Sequence, residues 1–301
     1  MTDKDDHSAT DQHTDLPSQE TVRALLEVIA PGSTISRIRP LAGSYSNFTH
    51  LVEALSADGS PSRVVMRRYV YGDRAKKARV EFSTLAFLQE HGIPAPEPLY
   101  LDEHGTLLGS PGIVTSYVPG QQIMCPSDPV KWARALATML VRIHSVPCNA
   151  AARDFLLDAN SEATWFVHPG VVPDYMNAHP DGAMVWQAVH ATDSDPPTDS
   201  DPHLLPDIQQ EEPTLVHLDY WRGNVLWDQG QITAVVDLEE AAYGDPGIDV
   251  AYCTMELVIM GMIEAAEEFL SAYEAETGRQ VANLGLWELA AAARPMADQN
   301  P

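Results

Sequence analysis

Three polar residues in "HLDYWRGN" stand at a spacing that can do chemistry: His217, Asp219 and Asn224, in the pattern H-x-D-x-x-x-x-N. An aspartate on a tight loop can accept the proton of an attacking hydroxyl. An asparagine five positions later can turn back and offer its amide oxygen to Mg²⁺. The pattern alone is short enough to arise by chance. The next segment strengthens it. "VLWDQGQITAVVDLEEA" reads as strand, turn, strand, with Val225 to Trp227 and Ile232 to Val236 flanking "DQGQ". A hairpin returns the chain to the loop it left, so Asp237 should end close to Asn224. A carboxylate beside an amide oxygen makes a hard oxygen site, suited to Mg²⁺ bridging nucleotide phosphates. The plainer reading is a polar turn with capping aspartates, and it accounts for less of the spacing and order.

The elements that must position these groups fall into two patterns. "SQETVRALLEVIA" starts on a serine cap and places Val22, Leu25, Leu26 and Ile29 at helical spacing. Strand-like runs follow, "TISRIRPL", "NFTHLVEAL" and "RVVMRRYV", separated by turn residues. Then come a helix in "RAKKARVEFSTLAFLQEHG", closed at His91-Gly92, an extended proline-rich run and a strand in "GIVTSYVPG". From Pro129 the pattern becomes helical. "PVKWARALATMLVRIHSV" lines up Trp132, Leu136, Met139, Leu140 and Ile143 on one side. The organisation is therefore a polar, acidic tail over 1–17 that reads as disordered, a sheet-rich lobe over 18–117 and a mainly helical lobe over 118–301. Residues 191–213, dense in Asp and Pro, read as a mobile acidic loop. They lack the glycine and terminal glutamate spacing of a calcium loop.

"LVHLDYWRGNVLW" followed by "ITAVVDLEEAAYGDPGIDVAY" resembles the family of aminoglycoside phosphotransferases, choline kinases and homoserine kinases. That resemblance implies an α+β, two-lobed protein-kinase-like fold. It implies Asp219 as catalytic base, with Asn224 and Asp237 as Mg²⁺ ligands. His217 would orient the catalytic loop, and Asp249 would brace it by hydrogen bonds. The sequence departs from the usual pattern at two places. Leu218 replaces a glycine and asks for an ordinary backbone conformation there. Leu238 replaces an aromatic residue and can keep its apolar packing role.

The same resemblance locates groups in the first lobe. Arg67 in "RVVMRRY" stands where a phosphate-binding lysine is expected. Alternation puts Val65, Arg67 and Tyr69 on one face and Val64, Met66 and Arg68 on the other. Only one of the two arginines can then face the nucleotide, and the motif selects Arg67. Glu81 on the following helix could pair with it. Ser44 and Asn47, around the "GSYSN" turn, would contact phosphate. The Ser116 carbonyl and Val118 N–H would meet adenine. His144, at the end of the long helix, reads as structural.

The chain has 301 residues and a formal net charge of −25, which disfavours nucleic acid and anionic membranes and would attract a cationic small molecule. Three scattered cysteines support neither a disulfide framework nor a C-x-x-C metal site. The polar N-terminus is no signal peptide, so a cytoplasmic location is expected. The reading is an ATP- and Mg²⁺-dependent kinase of a small-molecule hydroxyl. Its acceptor is an aminoglycoside or other antibiotic, or a metabolite alcohol of the choline or homoserine kind. A non-catalytic nucleotide-binding scaffold of the same fold is the alternative from another class. A protein kinase is disfavoured by the absence of a glycine-rich loop and of D-F-G and A-P-E motifs.

Overall fold

A computed structural model of the chain describes residues 15–41, 47–159, 212–282 and part of 284–292. Ser44, the tail up to residue 14, the acidic stretch 191–211 and the last residues from 293 lie outside the described residues. The chain divides into two compact units. One comprises the residues up to Gln89 together with Ala95–Pro119. The other comprises Glu90–Pro94 and the residues from Gly120 onward.

The first unit opens with helix α1 (Gln19–Ile29). The Ser18 hydroxyl caps it by accepting from the Thr21 N–H at 3.0 Å. Strands β1 (Thr34–Pro40), β2 (Asn47–Leu55) and β3 (Pro61–Tyr69) follow, then helix α2 (Arg74–Glu90), β4 (Pro98–Asp102) and β5 (Gly112–Ser116). They form one five-stranded sheet in the order β1-β2-β3-β5-β4, antiparallel at every junction. Val22, Leu25 and Leu26 of α1 pack on Val52, Ala54, Val64 and Met66, so α1 covers the even-numbered face of β2 and β3. On that face Arg68 pairs with Asp15 at 3.2 Å, and the buried His50 has no hydrogen-bond partner on either ring nitrogen.

In the second unit α3 (Pro129–His144) starts on Asp128, whose carboxylate accepts from the Lys131 N–H, with proline in the first turn. Trp132, Leu136, Met139, Leu140 and Ile143 are all buried, the side that the periodicity assigns. After a short helix α4 (Ala150–Arg153), strands β6 (Leu157–Asp158), β7 (Thr214–Val216) and β10 (Ala242–Gly244) make a small sheet in the order β6-β10-β7. This sheet is not apparent in the sequence, because strands of two or three residues carry no periodicity. Strands β8 (Val225–Asp228) and β9 (Gln231–Val235) form the expected hairpin, with Val225 opposite Val235. Helices α5 (Gly247–Ile259) and α6 (Ile263–Thr277) follow, and α6 ends on Gly278 with φ of 71°. No described helix is long and apolar enough to cross a membrane.

Candidate functional site

Strand β7 delivers the chain to His217 through a buried core of Leu215 and Val216. There the backbone turns left-handed. Leu218 has φ of 64° and Asp237 φ of 68°. This corrects the expectation of an ordinary conformation at Leu218: leucine here occupies the region that glycine adopts freely. A side chain in that region costs on the order of 1–2 kcal/mol. Two observations offset it. The Leu218 side chain is wholly buried in a cluster with Val216, Ala242, Ile248 and Ala251. Its N–H donates to Asp249 Oδ1 at 2.8 Å, while the His217 N–H donates to Asp249 Oδ2 at 2.7 Å. Successive N–H groups aimed at one carboxylate form a nest, and Asp249 fills it.

The turn presents Asp219 partly exposed, beside buried Asn224. Asn224 lies in a single turn of 3-10 helix (Arg222–Asn224). Its Nδ2 donates to the Asp219 carbonyl at 2.9 Å and to Asp219 Oδ2 at 2.8 Å. Two acceptors on one side fix the amide orientation and direct Oδ1 the other way. The Val236 N–H donates to the Asn224 carbonyl at 2.9 Å, so Asp237, the next residue, is held at the hairpin end beside Asn224.

His217 ties the two arms together. Its Nδ1 accepts from the Asp219 N–H at 3.3 Å, and its Nε2 lies 3.0 Å from the Val236 carbonyl. With Nδ1 accepting, Nε2 carries the proton and donates. One imidazole thus fixes both the residue at 219 and the strand end that leads into Asp237. Leu238 is fully buried, in keeping with an apolar packing role. The backbone bond from Val236 thus sets residue 237 next to the turn that carries Asp219 and Asn224. Two carboxylates and an amide oxygen are a donor set that suits a hard divalent cation.

Behind this turn lie groups that sequence reasoning did not place at the site. His144 Nε2 is 3.1 Å from Asp249 Oδ2, and its Nδ1 is 2.7 Å from the Tyr273 hydroxyl. Burial, with the nearby charges of Asp249 and Asp245, holds the Tyr273 phenol well above its ordinary value, so it stays protonated. Nothing in the sequence marks Tyr273, which looks like one more core position of an amphipathic helix.

In the first unit, Arg67 and Glu81 meet. Arg67 Nη1 donates to the two Glu81 carboxylate oxygens at 3.0 and 3.2 Å, and both side chains are largely buried. The Tyr69 hydroxyl also donates to Glu81. The alternation that puts Arg67 and Tyr69 on one face could have marked Tyr69 as this third member. Asn47 is buried at the start of β2, opposite Tyr69. Ser116 ends β5, where its N–H and hydroxyl bond to the Glu97 carbonyl and N–H. Val118 follows just beyond the strand, half-buried.

Comparison with known proteins gives the same fold. A candidate aminoglycoside phosphotransferase from Ralstonia eutropha superposes with a TM-score of 0.68 at 16% identity, covering 92% of this chain and 86% of that one. The GDP complex of aminoglycoside 2'-phosphotransferase-IIIa gives 0.64 at 15% identity, covering 92% and 88%. A macrolide 2'-phosphotransferase from Brachybacterium faecium gives 0.59 at 22%, covering 91% and 90%. In sequence, the mouse protein "Acyl-CoA dehydrogenase family member 10" is 27% identical over 272 residues, which is 80% of this chain. The chain spans 23% of that relative's length. The profile of the Phosphotransferase enzyme family matches residues 37–285, most of the 301-residue chain. With the α+β architecture of these kinase-like enzymes in place, the chain belongs to the phosphotransferase enzyme family.

Proposed function

We propose that this protein transfers the γ-phosphate of ATP to a hydroxyl group of a small molecule, with Mg²⁺ as cofactor. The observation that carries the reading is the Asn224 amide gripping the Asp219 carboxylate at 2.8 Å, beside the hairpin end that holds Asp237. A polar turn with capping aspartates would not need an amide fixed so that its oxygen is presented next to a second carboxylate.

Asp219 is the base. It takes the acceptor's hydroxyl proton as that oxygen bonds to the γ-phosphorus and the bond to the β,γ-bridging oxygen breaks, leaving ADP. Asn224 holds Asp219 Oδ2, and Oδ1 of the same carboxylate receives the proton. Asn224 Oδ1 and the Asp237 carboxylate fit Mg²⁺, which when bound neutralises phosphate charge. Arg67, fixed by Glu81 and Tyr69, binds phosphate oxygens through a forked guanidinium. Asn47 and Ser44 add polar contacts to phosphate. The Ser116 carbonyl and Val118 N–H read the adenine edge. Most of the rate enhancement comes from positioning and charge stabilisation.

Structural neighbours include a streptomycin–ATP ternary complex, a GDP and kanamycin complex and a gentamicin complex. These support a nucleotide and a cationic acceptor, as does the net charge of −25. A macrolide or a metabolite alcohol is the competing acceptor class. A cytoplasmic setting fits the three cysteines, none of which forms a disulfide. The test is ADP release with ATP and Mg²⁺ over panels of aminoglycosides, macrolides and small alcohols, with Asp219→Ala as control. Absence of ATP binding and of turnover, with water as acceptor included, would sink the proposal, and ATP binding without turnover would favour a nucleotide-binding scaffold.

A further inference from the structure

Leucine at position 218 must be held in a conformation that glycine would take unaided. What holds it runs back through three elements. Asp249, in the first turn of α5 and fully buried, accepts both the His217 and Leu218 N–H groups. Those two bonds fix the left-handed turn only while the carboxylate itself is fixed. Among the described residues no lysine or arginine pairs with Asp249. Its remaining partner is His144 at the end of α3, through Nε2 at 3.1 Å. A carboxylate offers only acceptors, so Nε2 carries a proton and donates it to the bond. Tyr273 of α6 holds the other ring nitrogen, its hydroxyl 2.7 Å from Nδ1 and its ring edge-on to the imidazole, with centroids 5.6 Å apart at 80°. Tyr273 thus holds His144, His144 holds Asp249, and the two Asp249 oxygens hold the 217–218 backbone through two N–H groups.

We propose that His144 and Tyr273 are positioning residues for Asp219. By fixing the Asp249 carboxylate they hold Leu218 left-handed and so keep the carboxylate of Asp219 aimed. The inference rests on the reading of Asp219 as the base. A merely structural His144 would stabilise the fold without any special link to position 218, and the glycine requirement distinguishes the two roles. Leu218→Gly and Leu218→Ala both remove the buried side chain, but only alanine still needs support for a left-handed backbone.

The experiment compares His144→Gln and Tyr273→Phe, the latter keeping its ring, in the wild-type, Leu218→Ala and Leu218→Gly backgrounds. Two quantities are read: amide hydrogen exchange across residues 215–220 without nucleotide, and ATP turnover with Mg²⁺ and water as acceptor. Loss of one relay hydrogen bond is expected to speed exchange and lower kcat by about tenfold, with KM for ATP unchanged, in the wild-type and Leu218→Ala backgrounds. Both effects should shrink in the Leu218→Gly background. Equal effects in the Leu218→Ala and Leu218→Gly backgrounds, or unchanged exchange in a folded Tyr273→Phe protein, overturn the proposal. If the wild type turns over no ATP, the reading of Asp219 falls, while hydrogen exchange still decides the relay by itself.

Discussion

The Asn224 side-chain amide donates to both the backbone carbonyl and the carboxylate of Asp219, at 2.9 and 2.8 Å. The proposed base is therefore held by the residue whose amide oxygen is the proposed ligand of the cation. Asn224→Asp puts a second carboxylate against Asp219 and removes the donor. Turnover should fall by on the order of a hundredfold or more, as should turnover in Asp219→Asn, which keeps the shape and loses the base. ADP release at saturating ATP measures both, with circular dichroism to show that each variant is folded. Turnover at the wild-type level in Asp219→Asn would remove Asp219 from the chemistry.

Glu81 is buried against Arg67 and Tyr69. Glu81→Gln removes the carboxylate charge that Arg67 pairs with, in a place largely closed to water. The expected loss is about 3 kcal/mol in urea unfolding, with weaker ATP binding. Tyr69→Phe removes one hydrogen bond from the same carboxylate and should cost about 1 kcal/mol.

His50 gives the protein an acid-sensitive spot in its first unit. Burial, then the nearby Arg68 charge, lower its pKa from 6.5 to about 4, against an opposing pull from Asp15. The folded value lies below the unfolded one, so protons favour the unfolded chain. The stability is fully present above pH 6.5 and is lost as pH falls toward 4, by about 3 kcal/mol in total. His50→Leu should flatten this limb. Unfolding midpoints at pH 7 and pH 4.5 compare the two proteins, and parallel losses would exclude His50 as the cause.

Gly223 sits where a Cβ would lie 2.3 Å from the Trp221 ring. Gly223→Ala must move that indole or the short 3-10 turn that carries Asn224. A stability loss of about 1–3 kcal/mol is expected, with lower turnover and a shifted tryptophan emission maximum. An unchanged emission spectrum with normal turnover would show that the turn has slack.

Much of the site was legible because a hairpin is a local device. Once Val225 to Trp227 and Ile232 to Val236 read as strands, Asp237 had to return to Asn224. The pairing of Arg67 with Glu81 was legible from the family resemblance and the order of elements, since alternation along β3 only puts the two arginines on opposite faces. Leu218 was not. Leucine identity argues for ordinary φ, and what overrides it is Asp249, 31 residues away, together with a buried cluster that closes only in three dimensions. Tyr273 escaped for a related reason: helical periodicity reports that a side chain is buried, not that its hydroxyl has a partner. The β6-β10-β7 sheet is set by pairing across long stretches of chain, and its strands are too short to leave a pattern.

The left-handed backbone at Leu218 bears on whether the proposed catalytic turn is portable. A hairpin cut out as residues 215–245 would keep Asp219, Asn224 and Asp237 and lose the carboxylate that fills the nest. Leu218 would then relax toward the ordinary region of backbone space, and Asp219, the next residue, would lose its aim. Grafting onto another scaffold therefore requires α5 with Asp249 to travel with the hairpin, or the substitution Leu218→Gly.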